Sequence, residues 1–317
     1  MERDKTILIV GLGLLGGKYA QVLSGKGYPV WGIDRDPEAV RWALERAYIA
    51  RGAAENFEEL VTGAQRIVFA LYPTAFLEWV KAYGHLIQPG TLITDVSGVK
   101  RGVVDPVQEL LPEGVEFIAS HPMAGRESSG ITHSAEVDFA PANFIVTPTA
   151  RNTPEAIAWC QDLARTLGFA HITTLTVAEH DRMIGYVSQL CHAIAVSLMC
   201  ASDNSRLAEY TGDSFRDLTR IARINEKLWA ELFLWNRDNL IGEIDMFDAA
   251  MQKLRTCLAE GDREGLEEMF RLSTVRRAAF DKSPIPSRPT QAADRPQHER
   301  RDALCPAKKG RNSSCWP

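Results

Sequence analysis

The segment Gly11-Leu12-Gly13-Leu14-Leu15-Gly16 constrains this chain more than any other, because it follows an apolar strand pattern, Thr6 to Val10, and opens a helical one, Lys18 to Ser24. A G-x-G-x-x-G in that context is a turn that cradles phosphate. Gly11 permits the tight turn, Gly13 leaves no side chain where a pyrophosphate approaches the backbone, and Gly16 lets helix and strand pack closely. Leu14 and Leu15 stand at the helix start, whose free N–H groups and positive potential attract phosphate. Asp34 ends the second strand pattern, Val30 to Asp34, 18 positions after Gly16. Its carboxylate suits ribose hydroxyls and would repel a 2′-phosphate, so NAD is favoured over NADP. The neighbouring Arg35 would soften that repulsion.

Strand and helix patterns keep alternating: Ala39 to Ala50 helical, Arg66 to Leu71 strand, Phe76 to Leu86 helical, Thr91 to Val96 strand, Val103 to Leu111 helical, Glu116 to Ala119 strand. Such alternation builds a parallel, doubly wound sheet of Rossmann type. Two further strand patterns, Asn143 to Pro148 and His171 to Val177, flank a helix from Pro154 to Leu167 that has proline at a favoured first-turn position. The dinucleotide-binding domain is therefore expected to span residues 1–178. From Ala178 to Lys282 the pattern is helical throughout, which predicts an all-helical substrate and dimerisation domain over residues 179–282. Within it, Val187 to Ala201 is apolar or small on nearly every face, and such a helix must be enclosed by other helices. One half-domain encloses it poorly, so a homodimer core is expected there. Residues 283–317 hold six of the 16 prolines and no periodicity, and read as a disordered tail.

Composition narrows the function classes. The chain has 317 residues, 45% hydrophobic and 24% charged, the usage of a globular protein able to build two cores. The reading finds no stretch of 18 to 20 continuous apolar residues and no cleavable apolar segment after Met1, so a cytoplasmic location is expected and no membrane partner. The six cysteines lack C-x-x-C or His at ligand spacing, which predicts neither disulfides nor a metal site. The net charge of −5 comes from an acidic body, since the last 35 residues carry seven Lys/Arg against three Asp/Glu. Nucleic acid is a poor partner for such a body.

In a doubly wound sheet the ligands sit beyond the carboxyl ends of the strands. Two segments follow strands there: Asp95 to Lys100 and Ser120-His121-Pro122-Met123-Ala124-Gly125-Arg126-Glu127. His121 is a side chain suited to accepting a proton near neutral pH, as a dehydrogenase requires when a hydroxyl becomes a carbonyl. Pro122 stiffens the backbone after it and Gly125 permits close approach of another group. Arg220 offers a planar guanidinium that holds a carboxylate through two charge-assisted hydrogen bonds, or pairs with Asp217 three residues earlier.

The glycine fingerprint, Asp95 to Lys100, His121 to Gly125 with Glu127 and Gly130, and Phe215 to Ala222 with Trp229 together resemble the prephenate/arogenate dehydrogenase family over residues 5–281. The resemblance implies a cyclohexadienol substrate with a ring carboxylate, oxidised by NAD with loss of carbon dioxide in tyrosine biosynthesis. Prephenate would give 4-hydroxyphenylpyruvate and arogenate would give tyrosine. It also implies His121 as the proton acceptor, Arg220 as a carboxylate ligand, His192 as a second active-site histidine and Asp217 as an acid ordering the arginine region. Two positions depart from the pattern. Relatives carry a catalytic serine where this chain has Gly98, so either Ser97 substitutes through a shifted turn or the role is missing. Relatives often carry His where Gln189 stands, which changes the polar floor of the substrate pocket. His180 sits near a helix start with no assigned role. The rivals are a 3-hydroxyacid-type dehydrogenase and a non-catalytic NAD-sensing protein.

Overall fold

The computed structural model of the protein describes residues 1–125 and 128–280. Six strands, β1 (Ile7–Val10), β2 (Val30–Ile33), β3 (Arg51–Ala53), β4 (Arg66–Phe69), β5 (Leu92–Asp95) and β6 (Glu116–Phe117), form one sheet. Its order is β3-β2-β1-β4-β5-β6 and every pairing is parallel. Helices α1 (Leu14–Gly25), α2 (Pro37–Glu45), α3 (Glu58–Gly63), α4 (Pro73–Tyr83) and α5 (Val104–Leu110) connect them. Along β1, Ile7 and Ile9 join one apolar cluster while Leu8 and Val10 join the other. The sheet is thus buried on both faces, as crossover helices on a parallel sheet require.

A second sheet follows. Strands β7 (Ala119–Pro122), β8 (Asn143–Thr147) and β9 (His171–Thr174) are ordered β7-β8-β9, antiparallel then parallel, with α6 (Pro154–Leu167) between the last two. The strand expected over Glu116 to Ala119 is therefore two strands. Ile118 still donates to Ile93 O at 2.9 Å, and beyond it the chain turns into the second sheet. His121 consequently lies within β7, beside β8, and not in a loop past the main sheet. The helix expected over Ala39 to Ala50 stops at Glu45, after which the chain forms β3, too short for its pattern to stand out.

The helical part begins with α7 (Val177–Ile184), a π-helical segment Gly185–Leu190, and α8 (Cys191–Cys200), which run on as one helix, Val177–Cys200. Thr176 caps it in a reciprocal box with Glu179. This helix is long and apolar enough by length and composition to cross a membrane, contrary to the expectation that no stretch qualifies. Ser188, Gln189 and His192 interrupt its apolar run, and His180, Asp181 and Gln189 are buried within the fold. Helix α9 (Asp213–Thr219), a 3-10 turn Arg220–Ala222, α10 (Glu226–Trp235), α11 (Arg237–Glu260) and α12 (Arg263–Ala278) complete the chain's described elements. The expected unbroken helical pattern fails over residues 201–212, where turns and one short 3-10 helix replace it.

The first compact unit is Met1–Gln252. It runs across the boundary expected near residue 178, because α7 and α10 bond directly to the nucleotide-binding half: Asp181 accepts from the backbone N–H groups of Lys100 and Arg101 at 2.9 and 2.6 Å. The second unit begins at Lys253, inside α11, and holds α12, whose start is capped by Asp262 accepting from Gly265 N at 2.9 Å. The tail expected to be disordered, residues 283–317, lies outside the described residues, as do Arg126 and Glu127.

Candidate active site

The glycine turn is built as its sequence requires. Gly11 has φ +96°, and a Cβ there would stand 2.5 Å from Ala70 O. A Cβ on Gly16 would stand 1.8 Å from Gly11 O, so any side chain would force the helix off the strand. Gly13 faces open space. Asp34 Oδ2 accepts from Leu12 N at 2.6 Å and its Oδ1 from Asp36 N at 2.9 Å. Arg35 is exposed beside it.

At the carboxyl ends of β1, β4 and β5 a cavity of about 770 Å³ opens toward the helical elements. Gly13, Leu14, Leu15, Ala70 to Pro73 and Val96 to Gly98 line one side; Ile184, Ser188, Gln189, His192, Arg220, Arg223, Asn225, Trp229 and Leu232 line the other; His121, Pro122 and Met123 lie between. A dinucleotide fits the first side. Gly13 leaves room for a phosphate, and the hydroxyls of Ser97 and Ser128 are buried without a hydrogen-bond partner, so an incoming polar ligand would satisfy them.

His121 is held from three directions. Asp95, fully buried, accepts from Ser120 N at 2.9 Å and Ser97 N at 3.0 Å, and from Lys100 Nζ at 2.7 Å. Lys100, also fully buried, donates in turn to Ser120 O at 2.6 Å. His121 Nδ1 lies 2.9 Å from His180 Nε2, and His180 Nδ1 lies 2.7 Å from Asp181 Oδ1. Burial, then the neighbouring His180 and Lys100, hold the His121 imidazole well below the usual histidine range. Burial also lowers His180, against the pull of Asp181. His180 had no assigned role in the sequence, yet it is the side chain that touches His121; its only local signal was its place beside Asp181 at a capped helix start.

The other expected residues divide. His192 lines the cavity, with its Nδ1 3.0 Å from Ser188 O and its ring stacked on Trp229 at 3.6 Å between centroids. Arg220 lines it from the 3-10 turn. Gln189 lines it too, but its amide is committed: Nε2 donates to Leu232 O at 2.9 Å and Oε1 accepts from Asn236 at 2.7 Å. It therefore builds the wall and is no free floor for a substrate. Asp217 departs from its expected role: it is exposed on the short helix α9 and does not line the cavity. Ser97 lines the cavity, but its hydroxyl makes no hydrogen bond to His121 and so does not stand in for the serine absent at Gly98. Arg223, missed from the sequence, lines the cavity three residues beyond Arg220.

Comparison with known proteins agrees with this layout. Residues 19–173 match the family model for the nucleotide-binding domain of prephenate dehydrogenase, and residues 176–272 match the model for its dimerization domain. Prephenate dehydrogenase of Bacillus subtilis is 30% identical over 94% of this chain and 82% of its own length. Cyclohexadienyl dehydrogenase of Zymomonas mobilis is 28% identical over 87% of this chain and 96% of its own. The solved prephenate dehydrogenase of Aquifex aeolicus, in complex with hydroxyphenyl propionate and NAD+, is 25% identical, covers 87% of this chain and 98% of its own, and superposes with a TM-score of 0.80. With both halves matched in order and a relative similar across nearly the whole length, the chain belongs to the prephenate dehydrogenase family.

Proposed function

We propose that the protein catalyses the NAD-dependent oxidative decarboxylation of prephenate to 4-hydroxyphenylpyruvate in tyrosine biosynthesis. One observation carries the reading: a single cavity joins the glycine turn, His121 and the two arginines Arg220 and Arg223. Prephenate carries two carboxylates, one for each guanidinium. A guanidinium matches a carboxylate bidentately, so Arg220 takes one of them and Arg223 the other.

NAD, when bound along Gly11 to Gly16 with Asp34 at its ribose, supplies a hydride acceptor. His121 accepts the proton of the substrate hydroxyl. Its depressed basicity keeps it neutral and ready to do so. His192, stacked flat on Trp229, lines the cavity beside the substrate. Loss of carbon dioxide yields an aromatic ring, which makes the reaction practically irreversible. The protein's contribution is positioning and proton acceptance.

The working form is a homodimer of a cytoplasmic enzyme. Tyr186, Val187, Leu198 and Met199 on the helix Val177–Cys200 are exposed on one chain, and burying such a surface against a second copy removes it from water. The dimerization-domain match over residues 176–272 supports the same reading. Initial rates with prephenate and arogenate, each with NAD and NADP, test the assignment. Prephenate with NAD should give the highest kcat/KM, and NADH production from arogenate alone would overturn it.

A further inference from the structure

We propose that His180 and Asp181 are positioning residues that fix the tautomer of His121, leaving its Nε2 bare as the atom that accepts the substrate proton. The proposal rests on the dehydrogenase reading for its kinetic arm and on geometry alone for its spectroscopic arm. Asp181 already accepts two backbone N–H groups, from Lys100 at Oδ1 (2.9 Å) and Arg101 at Oδ2 (2.6 Å), so it is an acceptor. Its Oδ1 also lies 2.7 Å from His180 Nδ1, which must therefore carry the hydrogen. In neutral imidazole the other nitrogen is then bare, so His180 Nε2 accepts. Its partner at 2.9 Å is His121 Nδ1, which must donate. His121 thus has N–H at Nδ1 and a lone pair at Nε2.

The surrounding charges support that state. From α7 come His180 and Asp181; from the end of β5 comes Asp95, and from the turn after it Lys100, whose ammonium is paired with Asp95 at 2.7 Å. Burial, first of all, keeps both imidazoles neutral. When the substrate O–H gives its proton to His121 Nε2, the imidazolium formed keeps its Nδ1–H on His180. The Asp181 carboxylate, one ring further on, balances the new positive charge. One proton moves and no electrons are transferred in that step. The opposite tautomer would put N–H at Nε2 and leave no base facing the substrate. A wrong tautomer costs about 10⁴-fold in the worked serine-protease case.

Two substitutions separate this from a structural role. In His180→Gln, the amide can donate to Asp181 and accept from His121, so the direction of the chain is kept. In His180→Leu, the acceptor for His121 Nδ1 is gone. We expect His180→Leu to lower kcat about 10²-fold or more with KM values within about threefold, and His180→Gln to recover at least about tenfold of that loss. Independently, 15N NMR of the histidine-labelled wild-type protein should show His121 protonated at Nδ1 and bare at Nε2. A His180→Leu enzyme with kcat within threefold of wild type, a His180→Gln enzyme no better than His180→Leu, or a wild-type His121 protonated at Nε2 would each overturn the proposal.

Discussion

Lys100 Nζ sits 2.7 Å from Asp95 Oδ2, and neither side chain is reached by solvent. The pair joins the turn after β5 to the backbone of β7, because the same ammonium donates to Ser120 O and the same carboxylate accepts from Ser120 N. The residue next in the chain is His121. The ion pair is thus a tie on the strand that presents the proposed base.

Removing one partner of a buried pair leaves the other uncompensated, at about 3–5 kcal/mol. Lys100→Met should therefore lower the unfolding free energy by that amount in urea denaturation, and Lys100→Met with Asp95→Asn should be more stable than the single variant. A single variant within about 1 kcal/mol of wild type would remove the tie from the account.

The acid side of the pH profile carries its own test. His121 is depressed from a reference of 6.5 by burial and by His180 and Lys100, so the folded protein binds its proton less readily than the unfolded chain. Stability from this group is complete above pH 6.5 and falls as pH drops from 6.5 toward the lowered folded value. The neutral base survives over the same window, so the acid limb of kcat/KM should lie below pH 6.5. A limb centred above pH 6.5 contradicts the burial that causes the shift.

Arg220→Lys replaces a planar fork by a point charge, and should lower kcat/KM for prephenate about 10- to 100-fold. Arg223 is exposed, as Arg220 is, and water screens its pairing with the second carboxylate, so Arg223→Ala should raise KM for prephenate about three- to tenfold while kcat holds. Steady-state kinetics distinguish the two, and an Arg223→Ala enzyme with unchanged KM would leave the second carboxylate unassigned.

At Gly98 a Cβ would meet Leu232 Cδ2 at 3.4 Å and His121 Cε1 at 3.9 Å, ordinary contacts. Gly98→Ser should therefore fold with a Tm close to wild type and place a hydroxyl beside His121, with kcat at or above the wild-type value. A tenfold fall in kcat would mean that the space belongs to a ligand. Ser97→Ala, by contrast, should raise KM for NAD, because the Ser97 hydroxyl is buried in the cavity wall without a protein partner.

Local patterns made the sheet legible. Gly16 announces a contact made within a few residues, with Gly11 O, and the alternation of Ile7, Leu8, Ile9 and Val10 between two apolar clusters needs only a strand of period two. His180 was illegible because no local pattern marks its pairing with His121, which lies 59 residues away across the second sheet and α6. Asp217 misled in the opposite way: spacing of three from Arg220 suggested a place in the site, but it is exposed on the short helix α9 and does not line the cavity. Gln189 lines the pocket as expected, but its amide is bonded to Leu232 and Asn236.

The Asp34 carboxylate, proposed to meet the ribose, already holds the N–H groups of Leu12 and Asp36. Replacing it to admit a phosphorylated cofactor would slacken the very turn on which any dinucleotide rests. Cofactor preference here is tied to loop integrity, and a lineage drifting from one nicotinamide to the other would first need a new fastening for Leu12.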